Sequence, residues 1–350
     1  MDRVRKKTRE AAVGWVSIGG DNPVAVQTMW PDRIAESGIQ QTLRRMELLK
    51  QYGCGIIRFS VRNEEDVQLV SRLAESRILP VVADVHYRAS LAVQAVQKGV
   101  HKVRINPGTI GGAEKTREVI RAAQGEGSAI RLGINSGSLP KQFSSQDAFR
   151  NILDAAEAYL ELFEKEQFCN LVVSLKSPDP DLTLKINREF SKRYDYPLHI
   201  GVTEAGPLIP SSVRSTYALS ALLKEGIGDT VRVSMTGSME EEIITAREIL
   251  RLFDLVHDAV NIISCPKCGR ASFDTHEFLR RWEHALYQLR KPVTVAVMGC
   301  PVNGLSEARH ADIGITGAGK RIYIFRKGAV IRETDAEHAE EVFLQELEKL

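Results

Sequence analysis

Short runs rich in β-branched residues alternate with longer amphipathic stretches through the first two-thirds of the chain. The runs are AVQTM (25–29), IIRFSV (56–61), PVVADVH (80–86), VHKVRIN (100–106), AIRLGIN (129–135), NLVVSLK (170–176), LHIGVTE (198–204) and TVRVSM (230–235). Short apolar runs with intervening segments long enough to return the chain are the pattern of a parallel sheet with crossover helices. Residues 38–52 (GIQQTLRRMELLKQY) and 146–166 (QDAFRNILDAAEAYLELFEKE) repeat apolar positions at helical spacing, so each predicts a helix. Eight strand–helix units over roughly 250 residues predict an α/β fold of the TIM (β/α)8 barrel type. The rival, an open sheet that binds a dinucleotide, would carry GxGxxG after its first strand, and the segment after Met29 has none. Upstream, VGWVSIGGDNPVAV (13–26) reads as a hairpin turning at Gly-Gly-Asp-Asn, placed to plug the bottom of the barrel.

After about residue 258 the alternation changes. VNIISCPKCG (260–269), a helix through THEFLRRWEHALYQL (275–289), a strand VTVAVMGC (293–300), a Gly-rich loop, a strand RIYIFRK (321–327) and a helix DAEHAEEVFLQELEKL (335–350) describe a small α+β unit. The expected domains are therefore 1–258, the barrel, and 259–350.

Composition narrows the classes. With 350 residues, 43% hydrophobic and 26% charged, the chain has an ordinary globular composition and enough length for more than one core. A net charge of +2 gives no global field for nucleic acid, so any preference for anions must come from cations placed locally. The basic start leads into no apolar segment, and no stretch is apolar enough to span a bilayer, so a cytoplasmic location without a membrane partner is expected. Five cysteines, an odd number, do not suggest a disulfide framework. Cys54 and Cys169 precede apolar runs and are expected to be buried, inert thiols.

In a TIM barrel the C-terminal strand ends line the active site. Arg58, Asp84, His86, Arg104, Asn106, Arg131, Asn135, Lys176, Glu204, Arg232 and Ser234 all fall at or near such ends. Strand side chains alternate, so Asp84 with His86, Arg104 with Asn106, Arg131 with Asn135, and Arg232 with Ser234 share faces. Any single arginine could close a salt bridge on the rim. Five cations from five strands, Arg58, Arg104, Arg131, Lys176 and Arg232, converging on one mouth call for an anion, and a ligand with two phosphates fits. Glu204 is placed to donate or accept a proton, or to act only through its charge.

The remaining cysteines suggest a metal. Cys265-Pro266-Lys267-Cys268 suits a zinc knuckle, a redox pair or half of a cluster site. Cys300 adds a third thiol, and Glu307 in GLSEARHADIG is the carboxylate within reach, while His310 is expected on a solvated helix face. Three thiolates and one harder ligand suit a 4Fe-4S cluster with one distinct iron; zinc on the same thiolates is the competitor, and Glu307 could be an ordinary helix residue.

At this level of detail the sequence resembles the 4-hydroxy-3-methylbut-2-enyl diphosphate synthase family of bacterial, two-domain type. VQTM, RFSV, VVADVHY, KVRINPGTIGG, RLGINSGSL, VVSLK, HIGVTEAG, LLKEGIGDTVRVSMTG, ISCPKCGR and MGCPVNG occur in the family's order, almost end to end. The resemblance implies a TIM barrel followed by a small α+β iron-sulfur domain of the sulfite/nitrite reductase kind. It places the 4Fe-4S ligands on Cys265, Cys268, Cys300 and Glu307, and diphosphate contacts on Arg104, Arg131, Lys176 and Ser234, with Arg58, Asp84, His86, Asn106, Asn135 and Glu204 around them. Arg232, flagged by its strand position, completes the set. The implied reaction is reductive opening and dehydration of 2-C-methyl-D-erythritol 2,4-cyclodiphosphate in the non-mevalonate isoprenoid pathway. The implied partners are reduced flavodoxin or ferredoxin and a second copy of the chain, in a homodimer where the cluster domain of one copy caps the barrel of the other. Leu305-Ser306 stands where the family usually has Pro-Gly, Trp30 replaces a small residue, and Ala271-Ser272 replaces a polar pair. Two other readings remain from the residues alone: a TIM-barrel pterin-dependent transferase, which leaves the thiols unexplained, and a zinc-stapled scaffold, which leaves the cations unexplained.

Overall fold

A hairpin of β1 (Glu10–Val13) and β2 (Val16–Gly19) precedes a ring of eight parallel strands in this computed structural model, which describes residues 5–35, 38–140, 142, 143, 145 and 147–350. The ring comprises β3 (Ala25–Met29), β4 (Ile56–Val61), β5 (Val81–Val85), β6 (Lys102–Ile105), β7 (Ala129–Asn135), β8 (Leu171–Lys176), β9 (His199–Ile200) and β10 (Thr230–Val231). Their order is β8-β7-β6-β5-β4-β3-β10-β9. A parallel bridge between Val173 and Leu198 joins the two ends, with Val173 N–H donating to the Pro197 carbonyl at 2.9 Å. The fold is the predicted TIM barrel. Its last two strands, two residues each, are shorter than their runs, and beyond β9 the chain passes through positive φ at Glu204 (φ 53°) and Gly206 (φ 96°).

Helices α1 (Ile39–Gln51), α2 (Glu64–Glu75), α3 (Ala89–Gln97), α4 (Pro107–Ile110), α5 (Gly112–Glu126), α6 (Ala148–Lys165), α7 (Pro180–Arg193) and α8 (Leu208–Lys224) lie between the strands, and α9 (Met239–Arg251) follows the last of them. Local chemistry sets several starts. Asn63 accepts from the Asp66 N–H at 2.8 Å to begin α2, and Ser238 with Glu241 forms a capping box at α9. The helices bury one face each against the strands; on α6 that face is Ile152, Leu153, Ala156, Leu160 and Phe163.

The hairpin turns elsewhere than expected. Val13 pairs with Val16, so Gly14 (φ 61°) and Trp15 form a two-residue turn, and Gly-Gly-Asp-Asn links β2 to β3 instead. A Cβ on Gly14 would lie 2.7 Å from the His101 ring, so the site needs glycine twice over. Ala11, Val13 and Ile18 pack with Ile56, Val82, Ala129 and Val172, each the first or second residue of its strand, so the hairpin seals the bottom of the barrel as expected.

The contact pattern divides the chain into Met1–Val256 and His257–Leu350, where the sequence reading set the boundary after residue 258. In the second unit a sheet ordered β11 (Asn261–Ser264), β12 (Thr294–Met298), β13 (Ile313–Ala318), β14 (Arg321–Arg326) and β15 (Ala329–Thr334) carries α10 (Thr275–Gln288) and α11 (Ala339–Glu348). Phe278 and Leu286 of α10 and Phe343 and Leu347 of α11 pack on Val295, Val297, Ile313, Ile315, Ile322 and Ile324. Strands β13 and β15 were not foreseen. Glycines interrupt the β13 pattern for a packing reason: the Phe325 ring lies where a Cβ of Gly314 would be, 2.1 Å away. β15 is an exposed edge strand without the apolar alternation that marks a buried one.

The buried hairpin yields a stability prediction. Ile18→Ala is expected to lower the unfolding free energy by about 2–5 kcal/mol in urea titrations; a change close to zero would show that the hairpin is not part of the core.

Candidate active site

Strand alternation decides which side chains enter the barrel. Thr28 donates to Glu242 on the surrounding helix α9, so Ala25, Gln27 and Met29 face inward. By the same rule Arg58, Asp84, Arg104, Arg131 and Lys176 project inward from β4 to β8, and Arg232 follows from the end of β10. Asp84, Arg104 and Arg131 are direct register partners across β5, β6 and β7. With His86, Asn135, Ser174, Thr203 and Ser234 these cations surround a cavity of about 240 Å³. Two glycines make room for them. A Cβ on Gly133 would lie 2.5 Å from Arg104 Nε, and one on Gly201 would lie 2.8 Å from Lys176 Nζ.

Two buried carboxylates hold part of the cluster. Asp84 accepts from Arg104 Nη1 at 3.1 Å and lies 3.6 Å from Arg58 Nε. Glu242 accepts from Arg232 Nη2 at 3.0 Å and Nε at 3.3 Å, and is itself fixed by Thr28 Oγ1 at 2.6 Å and the Met235 N–H at 3.3 Å. Arg131 and Lys176 have no carboxylate partner among the described residues, and Arg131 Nε is buried without any hydrogen-bond partner. Five cations thus face two carboxylates in a closed interior, which leaves a strong positive potential at the mouth.

Burial lowers the Arg58 guanidinium to about 10, and burial together with the neighbouring cations pushes Arg131 and Lys176 well below their ordinary values. A guanidinium does not release its proton inside a protein, so for the arginines this cost stays in the fold until an anion offsets it. Burial alone would raise the Asp84 carboxyl, but Arg58, Arg104 and Arg131 hold it far below the carboxylate range. Burial, then Arg104, lowers His86. Its neutral imidazole can accept from Arg104 at Nε2 while Nδ1–H donates to Thr109 Oγ1 at 2.9 Å.

Two expected residues are placed differently. Asn106 does not line the cavity: it caps α4, accepting from the Gly108 N–H at 2.9 Å, and donates to Ser138 Oγ at 2.7 Å. Glu204 is exposed on the loop after β9, in the left-handed region, and is not among the cavity-lining residues. Nine of the ten residues expected to bind substrate do surround the cavity. Glu242 and Thr28 were missed. An acid on the helix face shared by Met239, Ala246 and Ile249 was the available signal for Glu242, since a carboxylate on a buried face needs a partner.

In the second unit Cys265, Cys268 and Cys300 line a separate cavity of about 200 Å³ with Lys267, Arg270 and Asn303. The Gly299 N–H donates to Cys265 Sγ at 3.1 Å, and a Cβ on Gly299 would crowd Ala271 at 2.8 Å, so the backbone comes close to the thiol. Among the described residues no three Cys, His, Asp or Glu side chains are gathered closely enough for a single metal ion. Glu307 ends a π-helical turn, Val302–Glu307, where it is exposed and outside the cavity lining. His310 follows in a turn and not on a helix face. Cys54 is buried and pushed up to about 12 by burial, as expected for an inert thiol, whereas Cys169 is exposed, because the strand starts only at Leu171.

The class defined by these features is a TIM-barrel protein with a cationic mouth, followed by an α+β unit with a cavity lined by three cysteines. The family model described as GcpE TIM-barrel domain matches residues 8–247, and that of the GcpE protein C-terminal domain matches residues 261–349. The chain belongs to the GcpE family. Curated relatives named 4-hydroxy-3-methylbut-2-en-1-yl diphosphate synthase (flavodoxin) include those of Treponema denticola, 39% identical over 96% of this chain and 95% of the relative, and Caldanaerobacter subterraneus subsp. tengcongensis, 38% identical over 100% and 99%. Among solved structures, Yersinia pestis dihydropteroate synthase superposes with a TM-score of 0.52 at 12% identity, covering 71% of this chain and 98% of that one, a likeness of fold alone.

The Asp84 ion pairs predict a pH-dependent stability. Asp84→Asn leaves buried cations uncompensated and is expected to cost about 3–5 kcal/mol near neutral pH. Because the folded carboxyl lies below its unfolded value, its contribution is complete above the unfolded pKa of about 4 and is lost as pH falls below it. Thermal unfolding of both proteins should therefore converge in acid; a gap that stays constant to low pH would contradict the assignment.

Proposed function

We propose that this chain carries out the two-electron reductive opening and dehydration of 2-C-methyl-D-erythritol 2,4-cyclodiphosphate to 4-hydroxy-3-methylbut-2-enyl diphosphate. Two electrons and two protons enter, one ring C–O bond breaks, and one oxygen leaves as water. The observation that carries the reading is the buried excess of cations at the mouth of a barrel whose full-length relatives bear the synthase name. A diphosphate supplies the negative charge that Arg131 and Lys176 lack. The pterin-transferase reading leaves the thiol cavity without a purpose, and the scaffold reading leaves the cations without one.

Arg58, Arg104, Arg131, Lys176 and Arg232 bind and orient the diphosphate, with Asn135 and Ser234 as hydrogen-bonding groups and neutral His86 beside them. Asp84 and Glu242 fix the arginine forks, so little reorganisation is needed when charge moves along the leaving oxygen. Glu204 is the proposed proton-handling group, and its left-handed backbone is the kind of strain found at functional loops. Cys265, Cys268 and Cys300 would hold a 4Fe-4S cluster, with Glu307 as a replaceable fourth ligand. The donors suit it: in a cluster each thiolate binds its own iron, whereas thiolates on one zinc lie within about 4 Å of each other. When bound, such a cluster supplies electrons singly. Reduced flavodoxin is the proposed donor, named for the relatives, and ferredoxin is the alternative. A cytoplasmic homodimer belongs to the same reading, and no helix of the described residues is long and apolar enough to cross a membrane.

Anaerobically purified protein should contain about four iron and four sulfide per chain and turn over the cyclic diphosphate with reduced flavodoxin; Cys300→Ser should lose both. Stoichiometric zinc without iron, together with no turnover, would overturn the reading. Arg131→Met should weaken binding of the cyclic diphosphate by about 10- to 100-fold in calorimetry, and unchanged affinity would remove Arg131 from the site.

A further inference from the structure

Below the anion-binding cations the barrel interior has a second polar level. Lys102 begins β6, two residues before Arg104 and so on the same inward face, about 6.6 Å deeper at the usual rise of a strand. Its side chain is fully buried, and Nζ has no hydrogen-bond partner. Gln27 on β3 also faces inward, with both amide atoms unpartnered. His199 on β9 is fully buried; Nδ1 is bonded to Thr230 Oγ1 at 2.7 Å and Nε2 is unpartnered. None of the three lines the cavity above.

The surroundings of Lys102 are adverse to charge. Its register partners are Val82 on β5 and Ala129 on β7, both apolar. Burial, and then the guanidinium groups of Arg131 from β7 and Arg58 from β4, hold its ammonium well below the ordinary lysine range. His199, facing from β9, is lowered by burial and then by Lys176, Arg131, Lys102 and Arg58, so it stays neutral and offers no negative charge to the lysine. An ammonium presents three donors and no acceptor, and an amine can relieve the conflict by giving up a proton, which an arginine cannot do.

We propose that Lys102 is a neutral amine while the mouth is empty and takes up a proton when a polyanion settles on Arg131 and Arg58, so that diphosphate binding and proton uptake are one event. The inference rests on the diphosphate reading of the mouth and deepens it. A ligand with enough negative charge offsets the two guanidinium groups, and its field reaches one strand layer down through a low-dielectric interior. The barrel then contributes one more cation to a highly charged ligand than to a weakly charged one, which is a device for selecting polyanions.

Inorganic pyrophosphate is the probe. Calorimetric titration of the full-length, cluster-loaded protein in buffers of different ionisation heat, at one pH near neutrality, counts protons exchanged on binding, and comparison with Lys102→Met cancels those of pyrophosphate itself. The unaltered protein should take up about one proton more than the variant. Equal uptake overturns the proposal, while failure of both proteins to bind pyrophosphate overturns the diphosphate reading and this inference with it. Stability gives an independent readout. A lysine neutral in the fold gains its proton on unfolding, so its cost is present below the unfolded pKa of about 10.4 and vanishes as pH rises through it. Lys102→Met should therefore raise Tm more at low pH than at high pH, and a Tm difference independent of pH overturns the proposal. Should methionine not be tolerated, Lys102→Gln serves the same two measurements.

Discussion

Positive charge confined in a closed barrel is the constraint around which the first unit is built. Four arginines and a lysine enter from five strands, and among the described residues only Asp84 and Glu242 pair with them. Such an arrangement weakens the protein in isolation, because desolvation and mutual repulsion oppose folding. The surrounding structure carries that cost through apolar packing below and outside: the strand cores, the amphipathic helices and the sealed bottom. Gly133 and Gly201 belong to the same design, since side chains there would displace Arg104 and Lys176. An interior that is unfavourable when empty is also one in which little rearrangement is needed to accept an anion.

The second unit solves a different problem. Its sheet and two helices form a core of their own, and the thiols sit on loops at the ends of β11 and β12, where Gly299 lets the backbone approach sulfur. Leu305 and Ser306 lie within the π-helical turn that leads to Glu307. Proline would remove a backbone donor from this segment and glycine would relax it, so a continuous hydrogen-bonded turn is the conformation these residues permit.

Much of this was legible from residue order. The barrel strands could be placed because short apolar runs cannot be both exposed and stable, and the cations stood out because charged residues on strands buried on both faces are rare. What could not be read were features that depend on distant partners. Glu242 is one of three consecutive acids, and only the geometry of α9 turns it toward Thr28 and Arg232. Asn106 shares a strand face with Arg104, yet the start of α4 claims its side chain. Strand β13 was hidden because its glycines answer to Phe325 and Phe273 across space and not to local propensity. Glu204 was placed by sequence at the end of a strand that in fact stops at Ile200.

The hairpin at the foot of the barrel has a consequence for traffic. Ala11, Val13 and Ile18 close that end with apolar side chains, so the barrel is a blind well. Whatever enters must leave by the same opening, and a product that keeps its diphosphate departs against the field that drew the substrate in. Entry and exit then share one rim, where small phosphates in the surrounding solution meet the same cations.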